Sequence, residues 1–533
     1  MTTALPVRPA GLRALPRRQV VFTFAGVMLA MFLASLDQTV VGTAMPRIVS
    51  DLGGFSQYTW ITSVYIITSA VTVAITGKLT DMYGRKIFYI IGLSFFVLAS
   101  LLSGLSGSMT QLIIFRGIQG IGAGIMMANA FTVIGDLFPP VDRGKYQGYM
   151  SGVFGISSVF GPTLGGFLTD SLSWHWVFFI NVPLGLLIIL LFVKFFPNVR
   201  PDAIKHDIDY GGLSMLILAV VPAMLALTWA GVDYAWGSPI IIGLFTFSAL
   251  AVVIFIYIEK RAKEPIIPLS LFKNQIVTIS LIISFLIGIG MFGSIIFIPL
   301  FFQGVLGSTA TTSGTFLMPM MLGTVGGSFV SGQLLSRAGG HYRIQGAAGL
   351  AIMGTGILLL SMMTADTSYG TAVRNIVITG IGLGTTMPLY MISIQNAVPH
   401  SMLGAATSTG AFFRSIGGSV GLGILGSIMN NNFARQFTTR LPESVKAVVP
   451  ADMLDSLASN PQALVNPEAQ TQLQEILSQA GTAGPDLFAQ LLQTLRQALS
   501  SSLSEVFLIG LFVMIAAFLV NLFIREIPLR KTN

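Results

Sequence analysis

The residues of this chain most able to do chemistry are charges in places where charges are costly. Asp37 stands in the stretch LASLDQTVVGTAMPRI (33–48), and the run from Val20 to Val41 holds no other charged side chain. Arg116 sits near one end of a second apolar run, 111–137, and Arg414 lies inside a third, 404–430. On insertion scales a charge at the centre of a lipid-spanning helix costs roughly 2.5–3.5 kcal/mol, so it faces protein or a wet cavity and marks a functional position by default. Running in opposite directions, the first and second runs bring Asp37 and Arg116 to similar depth, where pairing lessens the desolvation cost of both. Burial and a neighbouring cation pull a carboxylate's proton affinity in opposite directions. A carboxylate whose guanidinium partner can approach or retreat is therefore a proton carrier. Asp37 is the candidate carrier and Arg116 its tuning partner; a fixed structural ion pair is the alternative.

Little else could be catalytic. Cysteine is absent, and the four histidines (His175, His206, His341, His400) are scattered, none in an H-E-x-x-H pattern. No phosphate-binding loop, nucleophile elbow or dinucleotide fingerprint is present in a fitting context. The expectation is no enzyme, no metal and no cofactor.

The elements that must position these charges are spans. Of the 533 residues 53% are hydrophobic and 9% charged, against roughly a quarter charged in soluble domains. A span needs about 20 apolar residues. Fourteen runs qualify: 20–43, 58–77, 87–107, 111–137, 145–169, 175–197, 211–232, 237–258, 276–302, 313–336, 344–364, 373–397, 404–430 and 503–524. The basic N-terminus reads as the flank of an uncleaved first span rather than a signal peptide. Basic residues collect in the even-numbered connections and the tails: Arg8, Arg13, Arg17 and Arg18; Lys78, Arg85 and Lys86; Arg143 and Lys145; Lys194, Arg200 and Lys205; Lys260, Arg261, Lys263 and Lys273; Arg337 and Arg343; Arg525, Arg530 and Lys531. That bias places both termini in the cytoplasm. The net charge of +8 is thus an orientation signal and not a nucleic-acid footprint.

An internal repeat organises the spans. TGKLTDMYGRK (76–86) follows span 2 as SGQLLSRAGGHYR (331–343) follows span 10, and RGIQGIGAG (116–124) parallels RNIVITGIGLG (374–384). Setting two central spans aside leaves two matching six-span halves, and duplication of this kind places a binding site between the halves. The expected domains are a tail (1–19), a first half (20–197), two extra spans with linkers (198–275), a second half (276–525) and a short tail (526–533). The second half contains a long outside segment, 432–502. Pro450, Pro467 and Pro485 there suit first helical turns. Leu487, Phe488, Leu491, Leu492, Leu495 and Leu499 form a helical stripe, so short helices are expected, the last running into the final span.

These motifs resemble the major facilitator superfamily, in its fourteen-span drug:proton antiporter branch. GKLTDMYGRK resembles the family loop signature G-x-L-a-D-x-x-G-R-K, and LDQTVVGTAMP (36–46) the first-span signature of drug antiporters. RGIQGIGAG resembles the fourth-span R-x-x-Q-G-x-G element, GPTLGG (161–166) the fifth-span antiporter signature, and WHWVFFINVPLG (174–185) a stretch typical of the fourteen-span branch. The resemblance implies an all-α integral membrane protein of two pseudo-symmetric six-helix halves plus two central helices. It also implies that Gly77, Asp81, Gly84, Arg85, Lys86 and Asp136 form a gating network. Asp81 would cap a helix of the other half, and Arg85 would bridge it to Asp136. Gly148, Ser157, Gly161, Pro162, Gly165 and Gly166 would be an antiporter helix at the interface between halves. Ser157 stands where the signature has glycine. Some drug-exporting relatives carry an acid in the penultimate span; this chain has Arg414 instead, which argues against divalent cations.

Arg414 is expected to contact Asp136, Asp142 or a lipid phosphate. Met126, Met127, Phe292 and Tyr390 are candidates to line a drug cavity, since flexible methionine surfaces suit varied ligands. The reading is a monomeric, proton-driven exporter of lipophilic, often cationic, small molecules across a bacterial cytoplasmic membrane, in contact with membrane lipids. Export of an amphipathic lipid or glycolipid is the nearest rival, and a non-transporting receptor or scaffold the rival of another class.

Overall fold

A lipid-spanning backbone has no water to satisfy it, so each apolar run must pair its own N–H and C=O groups. The computed structural model describes residues 16–52, 57–197, 207–231, 233–307, 310–338, 340–459, 474, 477 and 484–529. It resolves the runs into fourteen long helices: α1 (Arg17–Leu52), α2 (Tyr58–Tyr83), α3 (Arg85–Gly104), α4 (Met109–Leu137), α5 (Pro140–Ser171), α6 (Trp176–Phe195), α7 (Tyr210–Trp229), α8 (Pro239–Glu259), α9 (Gln275–Leu300), α10 (Ala310–Ala338), α11 (Tyr342–Ser361), α12 (Tyr369–Asn396), α13 (Leu403–Arg440) and α14 (Gly484–Asn521). Among the described residues thirteen helices are long and apolar enough to cross a membrane; α10, 29 residues long, is the counterpart of the expected tenth span. Arg8, Arg13, Arg200, Lys205, Pro467, Arg530 and Lys531 lie outside the described residues.

Local chemistry sets the ends. Ser108, Asp209, Ser238, Asn274 and Ser368 each accept a backbone N–H of the first turn they precede, as N-caps do. Pro140 and Pro239 open α5 and α8, where a missing N–H costs nothing. Lys86 Nζ donates to the carbonyls of Val193 (2.9 Å) and Phe196 (2.8 Å), closing the end of α6.

Helices α1–α6 share one apolar core, built around Leu33, Tyr89, Phe96, Met126 and Phe192. Helices α9–α14 share another, around Ile283, Phe297, Met353, Ile357 and Met514. The second core continues past the membrane. Phe437, Leu441 and Val445 bury with Leu487, Leu491 and Leu495, because α13 runs on to Arg440 and α14 begins at Gly484 as one 38-residue helix. Helix α7 bridges the two halves: Leu216, Val220 and Met224 pack with Ile67 and Val71 of α2 and Phe412 of α13. The α7–α8 tip holds both sides as well. Trp229 meets Trp60 at 5.6 Å between ring centroids, and Trp236 Nε1 donates to Ser427 Oγ at 2.7 Å.

Helix alternation puts Arg17, Tyr83, Arg85, Leu137, Pro140, Asn396 and Leu403 at one pole, termed here the terminal pole because both ends of the described chain lie there.

Candidate functional site

Asp37 lies twenty residues into α1, about 30 Å along it at 1.5 Å per residue. Its side chain is fully enclosed. Arg116 Nη1 of α4 donates to Asp37 Oδ2 at 2.6 Å, and Gln119 Nε2, one turn on, donates to Oδ1 at 2.9 Å. Asn181 Nδ2 of α6 donates to the same Oδ1 at 2.8 Å. Arg116 Nη1 also donates to Gln119 Oε1 at 2.7 Å, and its guanidinium lies 4.2 Å from the Tyr65 ring centroid. Ser100 Oγ, which donates to the Phe178 carbonyl at 2.9 Å, accepts from Asn181 at 3.0 Å. A charge withdrawn from water is tolerable only with a partner and hydrogen bonds; both Asp37 oxygens have them, while among the described residues Arg116 Nε and Asn181 Oδ1 are left without a partner. Gln38, the next residue, is exposed although it lies at mid-helix.

A second network locks the halves together at the terminal pole. Asp81, near the end of α2, accepts the backbone N–H groups of Gly404 (3.1 Å) and Ala405 (2.9 Å), the first turn of α13. Unpaired N–H groups and the helix dipole favour an anion there. Arg85 pairs with Asp81, donates through Nε to Asp136 Oδ2 at 3.0 Å and through Nη1 to Thr80 Oγ1 at 2.7 Å. His400 Nε2 lies 3.7 Å from Asp136 Oδ1. Arg143 donates to the carbonyls of Phe138 (3.0 Å) and Gly135 (2.6 Å) and across the seam to Gln395 Oε1 (3.2 Å). Gly84 turns the chain at φ +96°, a region that favours glycine. At Gly77 a Cβ would fall 2.5 Å from the Gly404 carbonyl oxygen, so α2 and α13 touch at backbone distance.

The α5 motif divides differently from expectation. Gly148 faces Phe329 of α10, across the seam. Gly161 and Gly165 instead press on Thr39 and Thr43 of α1, within the same half, and the Ser157 carbonyl accepts from Thr39 Oγ1 at 3.2 Å. Gly166 has open space where a Cβ would be. Pro162 lies inside the continuous helix α5. Helix rotation explains the split: the terminal half of α5 meets the other half, and the remainder wraps α1.

Four further expectations need correction. Met126 is 1% exposed in the first-half core, and Tyr390 is 1% exposed with its hydroxyl donating to Asn521 Oδ1 at 2.9 Å; both fill helix contacts and not a cavity. Phe292 packs over Gly418 inside the second half. Arg414 contacts neither Asp136 nor Asp142: it stacks on Phe131 of α4, 5.6 Å from the ring centroid. Met127 does lie at the seam, with Val73, Ala128, Met391 and Ala411. Sequence reading missed Gln119, Asn181, Ser100, Arg143 and Gln395. Gln119 and Asn181 sat inside motifs already quoted, and their signal was a carboxamide inside an apolar run.

Two helical half-bundles, a charge pair sealed in one of them and a polar lock between them make up a membrane transporter fold. The chain belongs to the Major Facilitator Superfamily, whose family model matches residues 27–208 and 210–422. It is 41% identical over 506 residues to the multidrug transporter protein MdtP of Bacillus subtilis (strain 168), covering 95% of this chain and 93% of that one. It is 39% identical over 514 residues to multidrug resistance protein 3 of the same organism, covering 96% of each. The rubrofusarin-specific efflux pump aurT of Gibberella zeae is 34% identical over 420 residues, 77% of each chain. Among solved structures, the human organic anion transporter MFSD10 (TETRAN) superposes with TM-score 0.59 at 14% identity, covering 94% of this chain and all of that one. The proton:xylose symporter XylE superposes with TM-score 0.58 at 12% identity, covering 96% and 97%. At such identities the structural likeness is one of fold.

Proposed function

We propose that this chain is a drug-efflux transporter that exports lipophilic compounds across a bacterial cytoplasmic membrane in exchange for protons. The observation that carries the reading is the enclosed Asp37–Arg116 pair, a carboxylate sealed inside the first half with its cation 2.6 Å away. In this reading Asp37 carries the proton, and a shift of α1 against α4 within the first half opens the pair to it. The names of the two Bacillus relatives support the substrate class. In this reading the terminal pole is cytoplasmic, the lock holds it shut, and the protein works as a monomer without a cofactor. An inward proton carries about 2.3 kcal/mol per 100 mV of membrane potential.

The test is ethidium efflux from proteoliposomes under an imposed pH gradient. Wild type should expel ethidium, and Asp37→Asn should lower the driven rate at least tenfold while the fold persists. Equal rates in both would reduce Asp37 to a structural charge; no driven efflux by wild type would remove ethidium as a substrate. One observation favours the rival lipid reading. A groove of about 890 Å³ lies between α10, α11 and α12, open to the side and lined by Leu322, Gly326, Val330, Ile344 and Ile352. Movement of labelled lipid between leaflets, measured in the same vesicles, separates the two.

A further inference from the structure

Arg414 is a cation in the middle of the molecule with nothing to balance it. It lies eleven residues into α13, about 17 Å from the terminal pole at the helical rise. Of the six membrane-spanning runs of the second half only 503–524 contains an acidic residue, Glu505, and it is engaged by Asn432 and lies 3.7 Å from Arg435. The enclosed carboxylates of the first half are engaged elsewhere: Asp37 by Arg116, and Asp81 and Asp136 by Arg85. Among the described residues Arg414 makes no hydrogen bond or ion pair; its one partner is the Phe131 ring. Its side chain remains partly exposed. The arginines held for structure here each donate hydrogen bonds: Arg116 to Asp37 and Gln119, Arg85 to Asp81, Asp136 and Thr80, and Arg143 to Phe138, Gly135 and Gln395.

We infer that Arg414 is the anchor for an acidic group on the transported molecule. The preferred substrates are then amphiphiles bearing a carboxylate, sulfonate or ionised phenol beside an apolar body. This inference deepens the exporter reading and rests on it. The surroundings fit both parts of such a molecule. Met127, Phe131, Val73, Met391 and Ala411 form an apolar layer at the seam, and the guanidinium offers a bidentate fork to an anionic oxygen pair. Arg414 belongs to one half and Phe131 to the other. An anion that draws the guanidinium off the ring therefore breaks a contact between halves, and the site registers occupancy where the halves must part.

The test uses purified full-length protein in nanodiscs. The probe is 11-(dansylamino)undecanoic acid, compared with its uncharged methyl ester, and binding is read by energy transfer from the protein's tryptophans. Wild type should bind the acid at least tenfold more tightly than the ester. Arg414→Gln should remove that preference, and Arg414→Lys should keep most of it. A thermal melt of each variant checks folding, and Arg414→Lys carries the comparison if Arg414→Gln is unstable. Equal binding of acid and ester by wild type overturns the inference, as does a preference unchanged in a folded Arg414→Gln. Ethidium efflux by wild type is scored alongside. Driven efflux without acid preference sinks the anchor and leaves the exporter standing; acid preference without driven movement of either probe does the reverse.

Discussion

At the residue scale the decisive quantity is the cost of leaving one buried charge alone. Removing one partner of an enclosed ion pair typically costs about 3–5 kcal/mol, largely because the survivor stays desolvated. Asp37→Ala and Arg116→Ala should each lower the thermal midpoint of the purified protein strongly. The double variant should lose less than the sum of the singles, since coupled neighbours are not additive. Additive losses would show that the two charges do not depend on each other. The sequence made this contact legible because two opposite charges stood out against apolar runs at matching depth. The donors from Gln119, Asn181 and Ser100 were harder to read, because uncharged polar residues occur throughout these helices and only their rotation selects the few that converge. Rotation also decided Arg414. Its side of α13 is the side that carries Ala411 to the seam, and no composition or spacing rule supplies that angle.

At the element scale the helices were legible almost throughout, while their ends were not. A hydropathy run stops where polar residues begin, yet α1 continues to Leu52 and α13 to Arg440; the last helix alone was legible beyond its run, its start at Gly484 matching Pro485 and the leucine stripe. Those extensions are held by packing outside the apolar run. The lock on α13 gives a sharper test. Removing an N-cap acceptor costs about 0.5–2 kcal/mol, which corresponds to roughly a 2- to 30-fold shift in a two-state equilibrium. The chain has no cysteine, so one introduced thiol reports alone. Thr407, 0% exposed, serves as that reporter. Maleimide labelling of Thr407→Cys should quicken by that factor when Asp81→Ala is added, and unchanged labelling would show that the cap does not hold the pole shut. Gly144 and Gly332 meet backbone to backbone, a Cβ on Gly144 falling 2.5 Å from the Gly332 Cα. Gly144→Val should wedge α5 from α10 and quicken the same labelling.

At the scale of the whole molecule, the halves are closed at one pole and Gln38 is exposed above the pair. In sealed right-side-out vesicles, Gln38→Cys should react with a membrane-impermeant thiol reagent, whereas Thr407→Cys should not. The reverse pattern would invert the assigned orientation. The fold-level reading rested on five motifs in order and an internal repeat. What it left undetermined was the place of the two extra helices, because a span outside a repeat has no counterpart to locate it. The structure lays α7 along the α2–α13 seam and ties its tip to Trp60 and Ser427. The consequence concerns traffic through the lipid. A compound dissolved in the bilayer meets one flank of the transporter that is shuttered and another, along α5 and α10, that is not. The exporter reading therefore predicts one-sided capture from the membrane: bulk added to the bare flank should slow uptake of oily compounds more than that of water-borne ones.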